Sequence, residues 1–372
     1  MNQEFVLGAI ATLMNWDDLQ AKKEFAWLRL MSRMKYDDYQ EFLAGMRFIE
    51  SLADWLQQFH QSDRAAAYQF VRTQLVFFSE AEMRHLAELL YPEVIEPLVT
   101  KRAAELTGAH SYLVWSNEKA SIAFKRLLRQ TVFIELSDGA RIDVFRRANE
   151  GRISNEQVVT APRINKSKWD DMLRDLRSDL EDEDVKFAIV VLIDDFTGSG
   201  KSLLRHETKW KGKLQQFWKD INRAEESQKV IDTHFETDWT VIVHHYIAAT
   251  QAQNAIADSH SERRNDLNEA GGWYPKVQFT WGITLPDEIR LSPSKVPEFS
   301  ELVNKYYDNA IKTVHTNVGG DDVKWGFGSC GLPLVLEHNA PNNSVALLWA
   351  ESVGANGAHA MRPLFRRRQR HV

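Results

Sequence analysis

The chain has 372 residues, 44% of them hydrophobic, with 12 Trp, 19 Phe and a formal net charge of −6. That length allows one large domain or two ordinary ones, and the aromatic content supports a substantial core. The negative charge argues against a protein coated in nucleic acid, though not against a local basic groove, and the single cysteine, Cys330, excludes an intrachain disulfide framework and a Cys-rich zinc site.

No apolar run approaches the roughly 18 residues that span a bilayer. The N-terminus has no basic stretch before an apolar one. A cytoplasmic location without membrane contact is therefore expected.

Residues 1–129 read as helices only, and are expected to form an all-helical N-terminal region. Phe25, Leu28 and Met31 recur at helical spacing, and Tyr36, Tyr39, Phe42, Leu43, Met46, Ile49, Leu52, Leu56 and Phe59 make a longer stripe. Ser79-Glu80-Ala81-Glu82 is a capping box before Met83, Leu86 and Leu90. Pro92 and Pro97 are expected to break or restart helices. Lys119–Arg129 offers one more.

Strand character begins at Thr131. Val132–Leu136 is followed by Ser137-Asp138-Gly139 and then Ala140–Phe145. Asp-Gly between apolar segments either closes a hairpin or forms a ligand loop at the end of a parallel strand. Asn149 to Lys168 is polar. Trp169, Leu173, Leu176 and Leu180 form a helix that feeds an apolar run from Phe187 to Ile193. Further strands are expected at Trp239–Ile247, Val277–Ile283, Gly326–Leu336 and Val345–Trp349, with helices at Gln251–Leu267 and Pro297–Val314. Alternating strands and helices predict an α/β domain over 130–355, with a mostly parallel central sheet flanked by helices. The tail, 356–372, reads as a flexible end. Its Arg362, Arg366, Arg367, Arg368 and Arg370 could contact phosphates, a nucleic acid or an acidic partner.

The most informative stretch is Ala188–Ser202. An apolar run is what a strand buried on both faces looks like. Asp194 and Asp195 stand where it should emerge, followed by the small-residue loop Thr197–Gly200 and by Lys201 and Ser202, which lead into a helical pattern through Leu203, Leu204, Trp210, Leu214, Phe217, Trp218 and Ile221. Glycines let backbone amides approach a ligand, and a helix N-terminus favours a phosphate dianion. The hydroxyls of Thr197, Ser199 and Ser202 can donate to its oxygens. The two carboxylates can accept from a sugar diol or hold Mg²⁺ through water. A P-loop needs Gly-x-x-x-x-Gly-Lys-Ser/Thr. Counting back from Gly200-Lys201-Ser202, Asp195 stands at the first glycine position, where its carboxylate would face the phosphates, so that reading fails.

Val190–Ser202 instead resembles the PRPP (5-phosphoribosyl 1-pyrophosphate) motif of type I phosphoribosyltransferases: four apolar residues, two acids and a small-residue loop. Ser137–Asp143, Phe145-Arg146-Arg147 and Ser154–Val158 resemble a phosphoribosyltransferase-like family of bacterial conflict, or anti-phage defence, systems (PRTase-CE-like). So do Glu24–Arg29, Tyr36–Tyr39, Leu332–Val335 and the His338-Asn339 to Asn342-Asn343 segment. The resemblance spans about residues 20–350. It implies a type I phosphoribosyltransferase-like fold, PRPP or a related ribose-phosphate nucleotide as ligand, Mg as cofactor, and a protein partner in a defence module.

It also implies roles. Asp194 and Asp195 would be the catalytic acids, holding the ribose hydroxyls and, through water, the metal. Thr197, Gly198, Ser199, Gly200, Lys201 and Ser202 would hold the 5′-phosphate. Ser137, Asp138, Gly139 and Arg141 match a pyrophosphate loop. Asn149–Val159 lies where a mobile lid usually closes, with Arg152 as its charge contact. Purine-salvage members carry an Asp three residues after the second acid; here it is Gly198, which can take no proton. His244 and His338 are candidate bases by residue type. Trp169, Trp273, Tyr274, Trp281 and Trp325 could stack on a base or fill the core. The expected activity is phosphoribosyl transfer. The other readings are a catalytically inactive PRPP or nucleotide sensor and a partner-docking subunit.

Overall fold

Helix-favouring sequence fills the first part of the chain. α1 (Gln3–Met14) and α2 (Asp18–Met34) precede α3 (Phe48–Gln57) and α4 (Arg64–Thr73). α2 begins where the Asp17 carboxylate accepts from the Gln20 amide at 2.8 Å. The computed structural model describes residues 3–161, 163–223, 229–266, 272–313, 320, 323–354 and 359–368.

The stripe from Tyr36 to Phe59 is not one helix. Tyr36–Asp38 is a 3-10 turn, and residues 39–47 form a loop with Gly45 at φ +84°. Tyr39 is buried all the same: its hydroxyl donates to the Arg366 carbonyl at 2.5 Å and accepts from the Ala340 amide at 3.0 Å. Its apolar spacing reflects tertiary packing, not helical period.

β1 (Val76–Phe78) leads into α5 (Glu80–Leu90), which starts with the expected capping box: Ser79 N donates to Glu82 Oε2 at 2.8 Å, and Glu82 N donates to Ser79 Oγ at 3.3 Å. Pro92 and Pro97 mark a break and a restart, as expected: α5 ends at Leu90, just before Pro92. Tyr91–Ile95 is a turn of π-helix running into α6 (Glu96–Thr107). Both prolines sit at the start of a helical segment, where a missing N–H is tolerated. α7 (Glu118–Arg129) starts at Asn117, whose side chain accepts from the Ala120 amide at 3.0 Å.

Next come β2 (Thr131–Glu135), α8 (Ile142–Ala148), β3 (Val158–Val159), α9 (Lys166–Leu180) and β4 (Phe187–Thr197). β5 (Arg205–His206) and β6 (Trp210–Lys211) form a small antiparallel hairpin, followed by α10 (Lys213–Ile221) and α11 (Val230–His234). β7 (Phe235–Ala249), α12 (Thr250–Asn265) and β8 (Lys276–Leu285) complete this part. The sheet order is β3-β2-β4-β7-β8, and every neighbouring pair is parallel. Val190, Val191, Leu192 and Ile193 are wholly buried. Each such side chain contributes about 1.5–3 kcal/mol relative to exposure, which is why the central strand reads as one apolar run.

Three expectations are corrected. Ala140–Phe145 is not a second hairpin strand; residues 142–148 are α8, so Ser137–Arg141 is a loop after a parallel strand. No helix begins at Lys201 or Ser202; the β5–β6 hairpin intervenes and α10 starts at Lys213. Of Gly326–Leu336 and Val345–Trp349, only β9 (Leu334–Leu336) is a strand, and it pairs with β1. The second run forms the short helix α14 (Ala346–Trp349), after α13 (Pro297–Tyr306). Val314 and Leu267, the expected ends of two helices, lie outside the described residues.

Two compact units result: Met1–Met83 with Pro286–Val372, and Arg84–Leu285. Neither boundary falls at residue 129. The first unit holds α1–α4, α13, α14 and the β1–β9 pair; the second holds the five-stranded sheet. The described part of the C-terminal tail is packed within the first unit. Leu364 and Phe365 are fully buried, and Phe365 stacks on Phe48 at 5.8 Å. Arg362 pairs with Asp54 at 2.6 Å, Arg366 with Glu351 at 2.8 Å and Arg368 with Glu41 at 3.8 Å. The arginines therefore offset acids of their own unit. Arg370 lies outside the described residues.

Candidate functional site

In chain order the five strands run 2-1-3-4-5 across the sheet. Such a doubly wound sheet has one switch point, between its first and third strands, where crossovers leave to opposite faces and open a crevice at the carboxyl edge. Here those strands are β2 and β4. Their register pairs Glu135 with Ile193, so Ser137 and the acids emerge together just beyond it.

Ser137 Oγ donates to Asp194 Oδ1 at 2.5 Å and lies 3.2 Å from Asp195 Oδ1. Asp194 is 1% exposed, whereas Asp195 is half-buried. Alternation along β4 puts them on opposite faces. Lys213 Nζ donates to Asp194 Oδ2 at 2.5 Å, and His245 Nε2 lies 3.8 Å from the same oxygen. Sequence reasoning missed Lys213 and His245. His245 was legible in principle, since β7 pairs it directly with Asp194.

The loop after β4 is pinned from behind. Gly200 has φ +74°, and a Cβ there would lie 2.9 Å from Ile256 Cγ1 and 3.0 Å from the Ala252 carbonyl of α12. Only glycine suits both the left-handed backbone and this approach. Gln251 Nε2 donates to the Gly198 carbonyl at 3.0 Å, and Arg205 Nη1 to the Lys201 carbonyl at 2.9 Å. Among the described residues the amides of Ser199, Gly200 and Ser202 donate to no protein acceptor. The helix contributes less than its position in the sequence suggested. The Lys213 and Leu214 amides, at the start of α10, donate to the Ser202 and Leu203 carbonyls at 3.0 Å each, so this helix end is occupied by its own chain.

On the other side of the crevice, Asp138 is exposed, Gly139 is buried and Arg141 is half-buried. Arg141 has φ +46°, a left-handed backbone uncommon outside glycine, directly before α8. Such outliers cost about 1–3 kcal/mol and cluster at ligand sites. Thr197 Oγ1 and the Tyr246 hydroxyl are buried with no hydrogen-bond partner among the described residues. Tyr246 follows His245 in β7 and so stands beside Asp195. Burial, with the nearby Asp195 carboxylate adding to it, raises its phenol far above the usual range.

The histidines are poor bases. Burial pushes His244 down to about 3 and His245 to about 4. His244 Nδ1 is 2.9 Å from Thr280 Oγ1, and its ring is 1% exposed. His338 belongs to the other compact unit, where its Nδ1 lies 2.8 Å from Glu337 Oε1.

Asn149–Val159 is not placed as a lid. α8 carries the chain back from the carboxyl edge so that β3 can run parallel to β2, which puts residues 149–157 at the amino edge of the sheet. Gln157 Nε2 ties this stretch there, donating to the Leu128 and Thr131 carbonyls at 2.7 and 2.8 Å. Arg152 lies over the Tyr91 ring at 5.4 Å. Of the candidate stacking residues, Trp169 and Tyr274 are buried in the core of the sheet unit, Trp273 packs against it, and Trp325 belongs to the other unit. Trp281 is the one beside the acids: it pairs with His245 in the sheet, ring centroids 5.6 Å apart.

A magnesium ion finds few protein ligands. Among the described residues no group of three or more His, Cys, Asp or Glu could hold a metal. Lys213 already neutralises Asp194, and Ser137 takes its other oxygen. The donor set fits a metal carried largely by oxygens of its ligand, with Asp195 as the nearby carboxylate.

Among the described residues no helix is long and apolar enough to cross a membrane. No curated protein and no solved structure matches the chain. The model of the PRTase-CE family matches residues 52–367. The chain belongs to this family, which is phosphoribosyltransferase-like.

Proposed function

We propose that this PRTase-CE chain binds PRPP, or a closely related ribose-phosphate nucleotide, in the crevice between β2 and β4, and transfers its phosphoribosyl group to an acceptor. One observation carries the reading. The Ser137–Arg141 loop, the acidic pair and the Thr197–Ser202 loop converge at the switch point of the sheet, joined by the Ser137–Asp194 hydrogen bond. The family match supports the same chemistry.

In this reading the amides of Ser199, Gly200 and Ser202, with the Thr197 hydroxyl, take the 5′-phosphate. Asp195 accepts from the ribose hydroxyls. Asp194 and Lys213 hold Ser137, and with it the pyrophosphate loop, in place. Arg141 offsets charge on the departing pyrophosphate. Bound Mg²⁺, on the ligand oxygens with Asp195 beside it, would supply further charge neutralisation. Catalysis is then mainly orientation and electrostatics around a cationic sugar. Membership in an anti-phage defence module rests on the sequence resemblance.

A second reading, a sensor that binds the nucleotide without transfer, draws on Gly198 and on the two neutral histidines, which leave the acceptor without a base of near-neutral pKa. Pyrophosphate release from PRPP, followed with Mg²⁺ and a panel of bases and nucleotides, separates the two. Release supports transfer; tight PRPP binding without release with any acceptor supports the sensor; no PRPP binding overturns both.

A further inference from the structure

A cavity of about 600 Å³ opens at the amino edge of the sheet, the end opposite the acidic pair. Its wall is made by the last turns of α7 and α8 and by residues 150–157. The cationic side chains are Lys125, Arg129, Arg146, Arg147 and Arg152; Glu150 and Glu156 oppose them. Five cations and two acids line this wall, in a chain whose overall charge is −6.

These cations are only partly used by the protein. Arg129 gives its Nε to Asp179 at 2.6 Å, while its Nη2 is buried without a hydrogen-bond partner among the described residues. A buried guanidinium nitrogen left unpaired costs free energy that an anionic ligand recovers. Arg146 Nη1 is held by Asn155 Oδ1 at 2.7 Å, which fixes the fork. Arg147 pairs with the exposed Asp143 at 3.3 Å. The Gln157 amide is spent on the Leu128 and Thr131 carbonyls, so it anchors the wall.

We propose that this cavity is a second anion site, separate from the β2–β4 crevice, that takes a small ligand carrying a di- or triphosphate chain. Forked arginines match phosphate oxygens in pairs, and an open cleft of this volume admits a small molecule. A nucleic acid strand would instead need an extended groove with stacking faces. Because the residues at 149–157 follow α8 directly, an occupant here sits at the far end of the helix that Arg141 precedes.

The test is calorimetric titration of inorganic triphosphate, without Mg²⁺, into the full chain. Three variants are compared: Asp195→Asn, Arg147→Gln/Arg152→Gln and Arg129→Lys. Arg147 and Arg152 lie at the wall's surface, so their loss leaves the fold intact, and lysine keeps a charge for Asp179. The expected result is unchanged affinity with Asp195→Asn and at least tenfold weaker binding with each arginine change. Equal binding by the arginine variants, or loss with Asp195→Asn alone, overturns the proposal. So does an oligonucleotide held more tightly than triphosphate through the same arginines.

Discussion

Lys213 Nζ and Asp194 Oδ2 lie 2.5 Å apart, a bond that brings the first residue of α10 back to the end of β4. Asp194 is almost completely buried, while the Lys213 side chain is 29% exposed. The pair offsets the cost of a carboxylate held out of water. Lys213→Met leaves that charge uncompensated and should destabilise the protein by about 3 kcal/mol. Adding Asp194→Asn to the same variant should recover part of the loss. Urea unfolding of the two single variants and the double variant measures this; strict additivity would show that the pair is not coupled.

Gly200→Ala should cost about 1–3 kcal/mol, since the new methyl must meet Ile256 and the Ala252 carbonyl from a left-handed backbone. The same change shifts the Ser199–Ser202 amides, so phosphate affinity should fall alongside the melting temperature. Gly108→Ala is the control: its φ is +67°, but nothing stands within 4 Å of a new Cβ. It should lose stability without losing ligand.

Acid should weaken the fold before carboxylates protonate. His244 and His245 are neutral when folded, at about 3 and 4, and titrate near 6.5 when unfolded. Between those values the unfolded chain binds more protons, so stability is present above pH 6.5 and is lost as pH falls towards 4. His234, His260 and His359 are also pushed down by burial and act with the same sign. Each fully buried histidine contributes a slope of up to about 1.4 kcal/mol per pH unit. Denaturant unfolding at pH 7.5, 6.5, 5.5 and 4.5 should show a steep decline; a flat profile would mean that water reaches the rings.

Much of this was legible in the sequence, for physical reasons. Val190–Ile193 had to be a doubly buried strand, and acids directly after it had to sit at its end. The Asp-Gly after β2 could be placed only as a hairpin turn or a ligand loop, and the parallel pairing of β2 with β4 decides it. Lys213 was hidden because the β5–β6 hairpin that returns it has two residues per strand, too few for an alternation to show. Val345–Trp349 is a five-residue apolar run, and such runs do not separate strand from buried helix. Asn149–Val159 was misplaced by likeness, when the return of a βαβ crossover to the amino edge already fixed its end of the sheet.

The most direct measurement is a calorimetric titration of PRPP with Mg²⁺ into the wild-type chain and into Asp195→Asn. Urea unfolding of both proteins is run alongside, so that affinity is compared only between folded chains. The account predicts saturable binding to wild type and at least tenfold weaker binding to the folded variant. Equal affinity of the two proteins for PRPP would contradict it and move the ligand away from the β2–β4 crevice.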